Sequence, residues 1–151
     1  MDRGYIERNE ASRARLRALL DRLSDEDLGR KVLDWTVAMS LAHLAFWDHF
    51  SHLRWIETVA SGREVPVAVG SPLTDLINDT SLDLWSRSLD VAGIRAFVLE
   101  AAEAFDAHAA ALPDQLVEAA QAADVPRTLD RSIHRAGHLE PIEAAFPATK
   151  G

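Results

Sequence analysis

The chain has 151 residues, 48% of them hydrophobic and 26% charged, enough for one domain with its own core and too few for two of ordinary size. Sixteen basic residues against twenty-four acidic ones leave a formal charge of -8, which disfavours nucleic acid and anionic membrane surfaces as partners. The absence of cysteine excludes disulfides, thiolate metal sites, iron–sulfur clusters and a cysteine nucleophile.

Met1-Asp2-Arg3-Gly4-Tyr5 lacks an apolar signal core, and no uncharged apolar run approaches spanning length, so a soluble, cytoplasmic protein is expected. Helix formers dominate. Ile6, Asn9, Arg13, Leu16, Leu20 and Leu23 follow helical spacing and predict a first helix from about Tyr5 to Leu23, with Leu19 widening the stripe. Ser24-Asp25-Glu26-Asp27 reads as a break with room for a short helical turn.

Thr36 is a good N-cap for a second helix that runs to about Ala60 and stops before Gly62. Val37, Met39, Leu41, Leu44, Phe46, Trp47, Phe50, Leu53, Trp55, Ile56 and Val59 surround its axis, which predicts the most buried element of the fold. The β-branched cluster at Val65-Pro66-Val67-Ala68-Val69 is interrupted by proline and followed by Gly70-Ser71-Pro72, so it predicts an extended loop.

Leu73 to Ser88 should be helical, with Leu76, Ile77, Leu84 and Trp85 inward. A longer helix from about Val91 to Ala111 carries Ile94, Val98, Ala101, Phe105, His108 and Leu112, and Pro113 closes it. Residues 113 to 127 are ambiguous, and a last helix spans roughly Thr128 to Ala145. The expected architecture is an all-α four-helix bundle forming a single domain over residues 1–151. The loop of residues 61–72 is long enough to cross the bundle and set the second and third helices parallel.

Any chemistry rests on histidine. His134 and His138 stand four residues apart, about 6 Å along one helical face. That spacing suits two imidazoles gripping one cation at about 2.0–2.1 Å, and it also occurs on ordinary solvated faces. His43 lies mid-way along the buried second helix. It is either a core histidine bonded to a carbonyl or hydroxyl, or a third ligand, since an unpaired buried imidazole costs about 1–3 kcal/mol. His49 and His52 point elsewhere round the same helix and read as surface or interface residues, with Asp48 and His52 an i, i+4 pair. His108 reads as filler on an apolar stripe or as a residue facing substrate. No histidine has a glutamate three positions before it, which rejects a carboxylate-bridged di-iron bundle site. His-Glu-x-x-His, Gly-x-Ser-x-Gly, Walker and dinucleotide glycine motifs are also absent.

Trp35-Thr36, then Leu41-Ala42-His43-Leu44 and Trp47, resembles the second-helix signature of the DinB/YfiT-like proteins. Ile133-His134-Arg135-Ala136-Gly137-His138-Leu139 with Ile142-Glu143 resembles that superfamily's last-helix His-x-x-x-His, and Asp75-Leu76-Ile77-Asn78 with Trp85 is similar to the segment before its third helix. The resemblance covers about residues 5 to 146. It implies an up-down-down-up four-helix bundle, often a homodimer, and a divalent metal on one histidine of the second helix and two of the last. Those positions are His43, His134 and His138 here.

The resemblance further implies a metal-dependent hydrolase or a transferase of small thiols such as mycothiol or bacillithiol. A non-catalytic metal- or ligand-binding dimer is the alternative. Imidazole suits zinc and nickel, and also iron and copper. Phe46, Trp47, Phe50 and His108 are the candidate pocket for a small-molecule substrate. Arg131 and Arg135 are either solvated or available to a substrate carboxylate, and no general base stands out, because Asp48 points about 140° away from His43. Pro141 departs from the family pattern: it removes a hydrogen bond inside the last helix and should bend it.

Overall fold

The computed structural model describes residues 1–148. It is all-α apart from one small hairpin. The helices are α1 (Tyr5–Arg22), α2 (Asp25–Gly29), α3 (Val37–Ala60), α4 (Ser71–Ser88), α5 (Ile94–Ala111), α6 (Asp114–Ala122) and α7 (Ser132–Ala145), with a 3-10 turn at Pro126–Thr128. No helix among the described residues is long and apolar enough to cross a membrane.

Four of these helices close a ring of contacts: α3 packs on α5, α5 on α1, α1 on α7, and α7 back on α3. Their apolar faces form two clusters. Leu16, Leu19, Leu20, Leu41, Leu44, Val98, Leu139 and Ile142 belong to the larger, and Tyr5, Trp55, Phe105, Leu112, Val117 and Leu129 to the smaller. Between them along α1, α3 and α5 lie buried polar residues: Asn9, Asp48 and Asp106.

The local signals act as their chemistry requires. The Thr36 hydroxyl accepts from Met39 N–H (3.2 Å) and starts α3. Ser24 and Asp27 form a reciprocal capping box that starts α2, the short helical turn for which the break after the first helix leaves room. Gly62 takes a left-handed φ of 70° just beyond the end of α3. The loop after it is extended, as its prolines predict.

Several expectations are corrected. The second helix is not buried all round: Leu53, Ile56 and Val59, towards its C-terminus, are exposed. The helix expected from Leu73 starts at Ser71, with Pro72 in its first turn, and has no buried residue. Leu76 and Leu84 face outward, because α4 packs chiefly on α3 and lies outside the ring of four. The connection between α3 and α5 therefore contains a whole helix. The ambiguous stretch after Pro113 is helical as α6, and the last helix begins at Ser132 because residues 126–128 wind into the tighter turn. The hairpin, in which Lys31–Val32 pairs antiparallel with Trp35–Thr36, was not expected, because strands of two residues are too short to show an alternating pattern. Leu33 at its tip holds a φ of 59°, unusual for a branched side chain.

Candidate metal centre

Two helices deliver the three histidines. His43 sits in the second turn of α3, while His134 and His138 occupy the first two turns of α7. The start of α7 is held by α1: Asn9 Oδ1 accepts from the backbone N–H of Arg131 (2.8 Å) and of Ser132 (3.2 Å), and Asn9 Nδ2 donates to Leu129 O (2.9 Å). Asp130 Oδ1 accepts a further bond from Ser132 N–H. One asparagine thus satisfies donors that a helix terminus leaves orphaned, and it fixes the point from which the histidines project. That explains a polar residue on the stripe of the first helix.

The imidazoles converge. Ring centroids are 4.6 Å apart for His43 and His138, 5.2 Å for His43 and His134, and 5.0 Å for His134 and His138. Trp35 of the hairpin stacks on His138 (5.6 Å, 14° between planes) and tilts against His43 (5.1 Å). The hairpin is the wedge that backs both rings.

The three rings can each offer a nitrogen so that all lie within 4.8 Å of one another. His43 Nε2 and His134 Nε2 are 3.3 Å apart, close to the edge of about 3.3 Å expected for a tetrahedron with bonds of about 2.0–2.1 Å. Burial, then the nearby His138 and Arg131, pushes His43 down to about 3. Burial, then Arg131 and its neighbours, pushes His134 down to about 2. Burial also lowers His138. All three rings are neutral at pH 7, the state a cation requires.

Hydrogen bonding assigns the tautomers of the metal-free rings. Arg131 Nη2 stands 2.8 Å from His134 Nδ1, and a guanidinium only donates. The proton of His134 therefore sits on Nε2 and points at His43 Nε2, which places the proton of His43 on Nδ1. That buried Nδ1 has no partner. A metal-bound imidazole usually donates its remote N–H to a carboxylate or carbonyl, so a cation on His134 Nε2 competes with the Arg131 contact.

Behind the triad lies a buried charge network. Arg131 Nε donates to Asp48 Oδ1 and Arg135 Nε to Asp48 Oδ2, both at 2.8 Å. Arg135 Nη2 and Nη1 reach the two oxygens of Asp106 (2.8 and 3.1 Å), with weaker bonds to Ala102 O and Asn9 O. All five N–H groups of Arg135 are thereby used, and its side chain is wholly buried. Arg13 adds a bond to Asp106. The reading of Arg131 and Arg135 as solvated is overturned by this burial, as is the Asp48–His52 pair: Asp48 turns inward to both arginines. Their committed donors leave Arg135 unable to bind a substrate.

Two cavities meet at the triad. One, of about 230 Å³, shares His138 and is bounded by Val32, Trp35, Gly137, Pro141 and Ile142. The other, of about 260 Å³, shares His43 and His134 and is bounded by Trp47, Arg54, Asn78, Arg127 and Arg131. Of the expected pocket residues, Trp47 lines this second cavity and its indole N–H donates to Asn78 Oδ1 (2.9 Å). Phe46 and Phe50 stack on one another at 6.0 Å beside it. His108 is elsewhere, tilted against His52 at 5.0 Å, and His49 is exposed. Pro141 lies inside a continuous α7, and the histidine pair before it still meets His43.

Comparison with known proteins gives one family. The model described as the DinB superfamily matches residues 8–139. No curated protein and no solved structure matches the chain.

Proposed function

The chain belongs to the DinB superfamily, and from that premise we propose that it binds one divalent cation through His43, His134 and His138 and uses it to act on a small molecule. The observation that carries this reading is the convergence of three neutral imidazoles from α3 and α7, with nitrogens within 4.8 Å of one another. Zinc and nickel suit such a donor set best, and iron and copper are compatible with it. The helices follow the up-down-down-up order of the family in this reading.

A cation held by three neutral ligands keeps its full charge and supplies Lewis acidity at an open position, enough to acidify water or a thiol. The chain's own groups do the rest. Trp35 backs the rings, and Asn9 with the Asp48–Arg135–Asp106 network fixes the helix that carries two of them. Trp47 and its bond to Asn78 wall one approach, while Val32, Pro141 and Ile142 wall the other. The two separate cavities at one triad support a two-substrate reaction over simple hydrolysis. Transfer of a small thiol such as mycothiol or bacillithiol to an electrophile is accordingly the preferred chemistry, with hydrolysis second.

The test is elemental analysis of untagged protein beside His43→Ala, His134→Ala and His138→Ala. One equivalent of metal in the parent, lost in each variant, is expected. Equal content in all four proteins removes the site. Incubation of the loaded protein with either thiol and an electrophile then separates the chemistries: thiol consumed in step with electrophile marks transfer, and product without thiol loss marks hydrolysis. Stoichiometric metal with neither product marks a non-catalytic metal-binding bundle.

A further inference from the structure

The cavity shared by His43 and His134 has an unusual charge balance for a chain with a formal charge of -8. Three arginines line it, Arg54, Arg127 and Arg131, and no carboxylate does. Ten of the arginines, Arg131 among them, have a carboxylate within 4.0 Å. Arg54 and Arg127 are among the few described cations that have none, yet both border this one cavity. They come from distant segments, the C-terminal third of α3 and the 3-10 turn before α7.

Arg54 is half-buried. Its guanidinium donates to Val67 O and lies over the Phe50 ring at 5.6 Å, so the side chain is held with most of its donors unused. Burial and the field of Arg131 lower its pKa, and the charge of Arg127 is felt at His134. Cations gathered without a counter-charge repel one another, and a low-dielectric cleft of one sign attracts an ion of the other. Arg131 has its Nε taken by Asp48 and its Nη2 by His134, so it adds positive field to the cavity while the unpaired guanidinium forks are those of Arg54 and Arg127. Ser51, Thr74 and Asn78 add neutral polar groups to the same wall.

We propose that this cavity binds the oxyanion of a small substrate, a carboxylate or phosphate, between Arg54 and Arg127, so that the rest of the molecule lies against the His43–His134 edge of the triad. A guanidinium fork matches either oxyanion in bidentate fashion. The volume of about 260 Å³ equals the share of about eight or nine waters, which suits a small organic acid or phosphate group as the enclosed part of the ligand. The proposal rests on the metal reading only for where the reacting end lies. The anion seat itself is built from the chain alone.

The experiment is calorimetric titration of the metal-free and the zinc-loaded protein with succinate and, separately, inorganic phosphate. Saturable 1:1 binding to the metal-free protein is expected, weakened at least tenfold in Arg127→Gln and in Arg54→Gln. Arg17→Gln removes the same charge from an exposed arginine on α1, away from the cavity, and should leave binding unchanged. Arg127 is exposed, so its variant folds even if that of Arg54 does not. Tighter binding of succinate marks the carboxylate class, and tighter binding of phosphate the phosphate class. Equal affinity in all three variants, or no binding to the metal-free protein, overturns the inference. An anion that binds only with zinc and ignores Arg127 also overturns it, while leaving the metal reading intact. Arginine-dependent binding in a protein that takes up no zinc supports it and removes the metal reading.

Discussion

Acidification of the metal-free protein should destabilise it well above the carboxylate range. His43 and His134 have pKa values pushed to about 3 and about 2 in the folded state, against an ordinary value of 6.5. Depression in the folded state means that the unfolded chain takes up protons first as pH falls. Stability is therefore full above about pH 7 and is lost progressively below 6.5. At pH 5 each of these histidines is almost wholly protonated in the unfolded chain and neutral in the folded one. The loss is about 2 kcal/mol for each and about 4 kcal/mol for the pair, a large share of the 5–15 kcal/mol typical of a domain. Urea titrations at pH 8 and pH 5, followed by far-ultraviolet circular dichroism, measure it. The His43→Gln, His134→Gln double variant should lose about 4 kcal/mol less than the parent between these pH values. If parent and variant show the same pH dependence to within about 1 kcal/mol, the two rings are not held neutral by burial and the site geometry is wrong. Excess zinc should protect the parent and not the variant, since a cation competes with protons for the same nitrogens.

Asp48→Asn should destabilise the protein by about 3–5 kcal/mol, because it strips the buried Arg131 and Arg135 of a shared counter-charge; denaturant midpoints check this. It should also weaken metal uptake, since Arg131 is then free to press harder on His134 Nδ1, and competition with a chromogenic chelator reads that change. Gly137 lies in mid-helix between the two histidines of α7, and a Cβ there would meet nothing within 4 Å. Gly137→Ala should therefore raise stability by about 0.5–1 kcal/mol with metal stoichiometry unchanged. A fall in either would show that the cavity beside His138 needs the bare backbone.

Local chemistry was legible in the sequence, and long-range pairing was not. Thr36, the Ser24–Asp27 turn, Gly62 and the helical stripes act through neighbours a few residues away, so spacing alone locates the helices. His43, His134 and His138 could be singled out because helical periodicity sets a ring's direction and the family motifs name the positions. Arg131 and Arg135 were misread because their partners lie 83 and 87 residues away on α3, and 29 residues away on α5. A signal was nonetheless present: Asp48 and Asp106 each interrupt an apolar face, beside Ala45 and between Ala102 and Ala109 respectively, and two arginines one turn apart were available to meet them. The outward turn of Leu76 and Leu84 had no such sign, since an outer helix with one neighbour has the composition of an inner one. Arg54 and Arg127 carry no motif at all, and only the folded chain brings them to one cavity.

The band of charge between the two apolar clusters also sets the alignment of the helices along their axes. Leucine faces tolerate sliding, because one buried methyl group resembles the next. Hydrogen-bonded ions do not. Asn9 and Arg13 from α1, Asp48 from α3, Asp106 from α5 and Arg135 from α7 meet at one level, and a slip of one turn, about 5.4 Å, would strand at least one charge in a dry interior. The bundle is thus keyed like a lock with one accepted position, and the aim of three imidazoles from two helices is inherited from that key.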